Sequence, residues 1–68
     1  MNHSVVMTCK KDENGVEVFE LSSYGAKAIV RWIEKLRDEH EVAPASFAEP
    51  WPSGSMYIWR GTRAAGRP

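Results

Sequence analysis

Residues 4–21 read SVVMTCKKDENGVEVFEL. Two runs rich in β-branched and apolar residues flank the polar stretch KDENG, and an Asn-Gly pair between such runs is a strong hairpin signal. The loop length follows from side-chain alternation. A two- or four-residue loop places Met7 and Cys9 on one face with Glu20, while Phe19 and Leu21 go to the other. A three-residue loop, Glu13-Asn14-Gly15, pairs Cys9 with Phe19 and Met7 with Leu21. It gathers Val5, Met7, Cys9, Phe19 and Leu21 on one face and opposes Lys11 to Glu17 at the rim. The other face then carries Val6, Thr8, Lys10, Val18 and Glu20. A one-residue slip destroys this separation, so the three-residue loop is expected, with Gly15 in the left-handed conformation of a bulge.

Beyond the hairpin, Ser22 or Ser23 can cap a helix, because a serine hydroxyl accepts from the first free backbone N–H groups. The helix is expected from about Tyr24 to Glu39 or His40. Ala26, Ile29, Val30, Ile33, Leu36 and His40 recur at steps of three and four, forming one apolar stripe with Trp32 beside it. Pro44, Pro50 and Pro52 make residues 42–54 an extended loop, since proline lacks an N–H and disfavours helix in the preceding residue. Residues 55–60, SMYIWR, read as a third strand. The tail GTRAAGRP, residues 61–68, is small and polar enough to fray.

The helix stripe and the clean hairpin face most economically cover each other. The expected fold is α+β: a small β-β-α-β domain over residues 1–60, with a three-stranded, mainly antiparallel sheet, one helix on one face, and a flexible tail over 61–68. Along SMYIWR the side chains alternate, Met56, Ile58 and Arg60 one way, Tyr57 and Trp59 the other. Met56 and Ile58 are assigned to the core, because Arg60 at the strand end can leave it for solvent. Tyr57 and Trp59 then project from the uncovered face, where either Phe47 and Trp51 of the 42–54 loop or another molecule would cover them.

Composition narrows the function classes. A chain of 68 residues makes one domain that buries only ~60% of its unfolded surface, so its stability is marginal without a supplement. Cys9 is the single cysteine, which excludes an internal disulfide and suits a reducing setting. The N-terminus lacks the order of a signal peptide, and no apolar run reaches the ~20 residues of a membrane span; the expected location is cytoplasmic, with no membrane contact. Cys9, His3 and His40 make neither a convincing nucleophile site nor a metal site, and no cofactor is implied. Asp38, Glu39 and Glu41 read as a solvated helix end. PSGSM meets neither the phosphate-loop nor the dinucleotide pattern.

Charge is more informative. Nine basic residues balance nine acidic ones, so no global field attracts nucleic acid. Lys27, Arg31 and Lys35 nevertheless stand at four-residue intervals, a basic ridge ahead of the acids at 38, 39 and 41. That order opposes the helix dipole at ~0.3–1 kcal/mol per charge. The expected function is a non-enzymatic protein-binding module. It would be an inhibitor or accessory subunit that occupies a partner's surface, as a homodimer or in a complex. Small phage and mobile-element proteins that inhibit host defence share this profile. The expected contact residues are Tyr57, Trp59, Arg60, Trp51, Lys27, Arg31 and Lys35, since Trp, Tyr and Arg dominate interface energetics. The alternative is a small nucleic-acid-binding regulator that uses Arg60, Arg63 and Arg67 with the neighbouring aromatics.

Overall fold

The computed structural model describes residues 3–52 and 54–64. Two strands, β1 (Val6–Lys11) and β2 (Val16–Ser23), lead into helix α1 (Ala26–His40). Strands β3 (Ala43–Ala48) and β4 (Tyr57–Ala64) follow. The four strands form one antiparallel sheet in the order β1-β2-β4-β3. The class is the expected α+β, with a fourth strand that the sequence does not announce.

The hairpin has the expected register. Cys9 pairs with Phe19, Met7 with Leu21 and Lys11 with Glu17, and Gly15 takes a φ of 80°. The turn is held by Asp12, whose Oδ1 accepts from the N–H groups of both Asn14 and Val16 at 2.9 Å. This is the local bonding that suits aspartate to turns.

The helix begins two residues later than expected, and no serine side chain caps it: Gly25 occupies the N-cap position. Ser23 is instead buried in the core. Its Oγ donates to the Ser4 carbonyl at 2.8 Å and accepts from the Gly25 N–H at 3.1 Å. One hydroxyl thereby ties the N-terminal segment to the helix entry. At the other end Glu41 adopts the left-handed conformation (φ 56°), and the Val42 N–H donates to the Leu36 carbonyl. That bend drops Val42 into the core.

The core comprises Phe19, Leu21, Ile29, Leu36, Val42 and Trp59, with Val5, Ile33 and Tyr57 packed against it. Helix α1 lies over β2 and β4, the central strands, and this placement corrects three expectations. Met7 and Cys9 share a face with Phe19 and Leu21, yet both are exposed, because the helix sits over the middle of the sheet rather than over edge strand β1. The helix stripe narrows to Ile29, Ile33 and Leu36, with Val30 and His40 left in solvent.

The third correction concerns β4. Trp59 is 2% exposed and belongs to the core, while Met56 is exposed and Ile58 half-buried on the opposite face. Two facts reverse the assignment. Arg60 is not at a strand end: β4 runs on to Ala64, so Gly61 and Arg63 continue the Trp59 face. Gly61 supplies the room that the indole needs, since a Cβ there would collide with Trp59 and lie 2.7 Å from Val42 Cγ1. Residues 61–64 of the tail expected to fray belong to β4, and residues 65–68 lie outside the described residues.

Strand β3 replaces the first half of the expected loop. Pro44 is tolerated because β3 is an edge strand, where a missing N–H need not break a ladder. The register shifts between Pro44 and Ser46, a local irregularity of the kind edges accommodate.

Candidate protein-contact surface

The expected contact set divides once the fold is built. Trp59 is buried. Tyr57 is half-buried on the helix side of the sheet and stacks on Phe47, with centroids 6.0 Å apart and planes within 10°. Neither projects from the uncovered face. Phe47 shares the face of Trp59, its register partner on β4, so it does not cover the open face either. Trp51 is 87% exposed.

The arginines of β4 are committed within the chain. Arg60 Nε meets Glu20 Oε2 at 2.7 Å on the open face. Arg63 Nε meets Glu17 Oε1 at 2.9 Å, its Nη1 donates to the His40 carbonyl at 3.1 Å, and its guanidinium lies 5.2 Å from the Phe19 ring centroid. The hydrogen bond from Arg63 holds the Glu17 carboxyl below its ordinary pKa, and the same bond raises that of Arg63. Arg63 thus works as a rivet between β2, β4 and the helix C-terminus, where a cation also suits the dipole. Arg67 lies outside the described residues.

The helix cations are different. Lys27, Arg31 and Lys35 are exposed, and among the described residues none of them has a carboxylate within salt-bridge distance. Spaced four residues apart on an α-helix, they form a ridge about 12 Å long. Lys35 Nζ sits 4.9 Å from the Trp32 ring centroid, a cation–π arrangement. Tyr24 continues the ridge upstream, and both Tyr24 and Trp32 are exposed.

These groups border an open groove of about 600 Å³ lined by His3, Val5, Tyr24, Lys27, Arg31 and Trp32 together with the small residues Gly25, Ala26 and Ala28. One wall is the N-terminal segment that Ser23 pins down. His3 packs directly on Gly25, where an added Cβ would lie 2.7 Å from the His3 Cβ. The small residues at 25, 26 and 28 keep the floor low. Tyr24 and Trp32 were not among the expected contact residues. Part of the signal was present in the chain: Lys27, Arg31 and Lys35 recur at steps of four on one helix face, while Tyr24 lies just ahead of the helix and reaches the groove through the fold.

Glu34 lies between Arg31 and Lys35 on α1, and Asp38 and Glu39 follow the strip at its C-terminal end. Asp38 is engaged by Arg37, whose hydrogen bond at 2.9 Å lowers the Asp38 pKa. Among the described residues no group of three or more His, Cys, Asp or Glu converges as a metal site, and no helix is long and apolar enough to cross a membrane. Comparison with protein-family models, with curated proteins and with solved structures gives no match.

Proposed function

We propose that the chain is a non-enzymatic protein-binding module, an inhibitor or accessory subunit that works by occupying an acidic surface of a partner protein. Its contact strip is Lys27, Arg31, Trp32 and Lys35 on α1, with Tyr24 just ahead of the helix. The observation that carries this reading is the contrast in charge pairing. Arg60 and Arg63 are each neutralised by a glutamate of β2, while among the described residues the three helix cations have no carboxylate within salt-bridge distance and stand beside two exposed aromatics. Aromatic anchors ringed by cations match the residue chemistry of interface hot spots. Lys27, in the first turn of α1, also accepts an unfavourable dipole orientation, a cost that an acidic partner would offset. The occupation of Arg60 and Arg63 counts against the nucleic-acid alternative, as do a formal net charge of +0 and a ridge of only three cations.

The test is affinity capture from the native host with the intact chain and with a Trp32→Ala, Arg31→Glu variant, each with and without nuclease. The expected result is a defined protein retained by the parent, reduced about tenfold or more by the variant and indifferent to nuclease. Retention that the variant leaves unchanged would remove the helix strip from the contact. Retention that nuclease abolishes would make nucleic acid the ligand.

A further inference from the structure

We propose that strand β1 is a self-association edge, and that two copies of the chain pair through it, antiparallel, about a two-fold axis at Thr8. The inference does not depend on the helix strip.

The two sheet edges differ. Strand β3 carries Pro44 and a register shift beside it, devices that keep an edge from pairing. Strand β1 has neither, and its charged residues, Lys10 and Lys11, are confined to one end. All six of its residues are exposed, with Met7 46% and Val6 57% exposed. An edge strand of this kind presents a row of unsatisfied backbone donors and acceptors whose natural complement is another strand.

The hairpin determines which groups face outward. The Asp12 N–H bonds the Val16 carbonyl at 2.9 Å, so Asp12–Val16 is a hydrogen-bonded pair. By alternation Lys10–Val18 and Thr8–Glu20 are too. Thr8 and Lys10 therefore spend their backbone groups on β2, and Met7, Cys9 and Lys11 present theirs to the free edge. A second β1 fits these groups when Met7 of each copy lies opposite Cys9 of the other. Val5 then faces Lys11, Val6 faces Lys10, and Thr8 meets its own copy across the axis.

Charge selects this register over its neighbour. Shifting the axis to Cys9 would bring Lys10 of the two copies onto diagonal positions of one face, where like charges disfavour pairing. With the axis at Thr8 each Lys10 sits over the partner's Val6, and the lysines lie at opposite ends of the pair. The same operation places both helices on one side of a continuous eight-stranded sheet. Met7 and Cys9 of both copies would then fill the strip between them. Trp32 shares a groove with Val5, the residue leading into β1. The seven residues from Val5 to Lys11 span ~23 Å, an interface at the small end of the range, so the dimer should be weak.

The test combines mass and cross-linking. Sedimentation equilibrium from ~1 to ~500 μM should show the 7.7 kDa chain passing to twice that mass. A Thr8→Cys, Cys9→Ser variant oxidised with diamide should form a disulfide dimer, because residues facing each other in a non-hydrogen-bonded pair have Cα atoms ~4.5 Å apart. A Ser46→Cys, Cys9→Ser control on the β3 edge should not. Cys9→Pro removes one outward N–H without touching the β2 ladder. Met7→Lys, at an exposed position, adds charge beside the partner's Lys11. Either variant should weaken the dimer about tenfold or more while near-ultraviolet circular dichroism of the aromatic core persists. A chain monomeric throughout, cross-linking at residue 8 no faster than at residue 46, or a dimer that Met7→Lys leaves undiminished would each overturn the proposal.

Discussion

Gly61→Ala should destabilise the protein although it replaces glycine inside a strand. The sign can be worked from the structure. Gly61 is not among the glycines with positive φ, so alanine meets no backbone penalty there. Filling a strand-interior glycine ordinarily gains ~0.5–1 kcal/mol. Against this, the new Cβ would lie 2.7 Å from Val42 Cγ1 and 2.9 Å from Trp59 Cζ2. Both neighbours are almost fully buried, and neither is the free end of a flexible chain. Overpacking of such a site costs ~1–3 kcal/mol. With two buried side chains closer than 3.0 Å placing the cost toward the upper end of that range, the expected net loss is about 1–2 kcal/mol, a substantial part of the ~3–10 kcal/mol available to a domain of this length. In urea, with a slope of ~1 kcal/mol/M for so short a chain, the midpoint should fall by ~1–2 M. Circular dichroism and tryptophan fluorescence should report the same transition. In a Trp59→Phe background, which removes much of the colliding ring, the cost of Gly61→Ala should shrink by about 1 kcal/mol. A Gly61→Ala protein as stable as the parent, or a cost unchanged by Trp59→Phe, would refute the packing of Trp59 over Gly61.

Three further outcomes follow from single contacts. Ser23→Ala removes the acceptor of the buried Gly25 N–H and the donor to Ser4; it should cost ~1–3 kcal/mol by the same urea assay. Glu41→Gly relieves a left-handed non-glycine residue at ~1–2 kcal/mol, less the ~0.5–1 kcal/mol that glycine's unfolded freedom takes back, so it should raise the midpoint slightly. Glu17 has its pKa lowered by the Arg63 hydrogen bond. Its contribution is therefore present above the unfolded-state glutamate pKa, ~4.3, and is lost as pH falls through the lower folded value. Stability measured from pH 6 to pH 2.5 should decline on this limb, and Glu17→Gln should flatten the decline.

The hairpin was legible because two independent signals agreed. Asn14-Gly15 fixed the turn, and the alternation of Met7, Cys9, Phe19 and Leu21 fixed the register. The helix was legible to within two residues for a similar reason, its apolar period. Strand β3 was not, because APASFA is small, contains proline and lies at an edge where only one side of the ladder is needed. The face of β4 is not legible for a connected reason. With Gly61 placed in the tail, Arg60 looked like a strand end, and the cavity that accommodates Trp59 had no visible source. A glycine two residues after a tryptophan, on the same strand face, is the pattern that would have reversed the choice. The basic ridge was visible from spacing, while the pairing of Arg60 with Glu20 and Arg63 with Glu17 depends on β2 and β4 being neighbours, which the sequence alone does not specify.

The relocation of the contact surface from β4 to α1 is tested most directly by comparing two folded variants in the same capture from the native host. Lys27→Glu, Arg31→Glu reverses the ridge and should lower recovery of the retained protein about tenfold or more. Arg60→Ala breaks only an exposed ion pair with Glu20, worth little to stability, and should leave recovery within about twofold. Recovery lost with Arg60→Ala and kept with the reversed ridge would contradict the assignment and return the contact to the open face of the sheet.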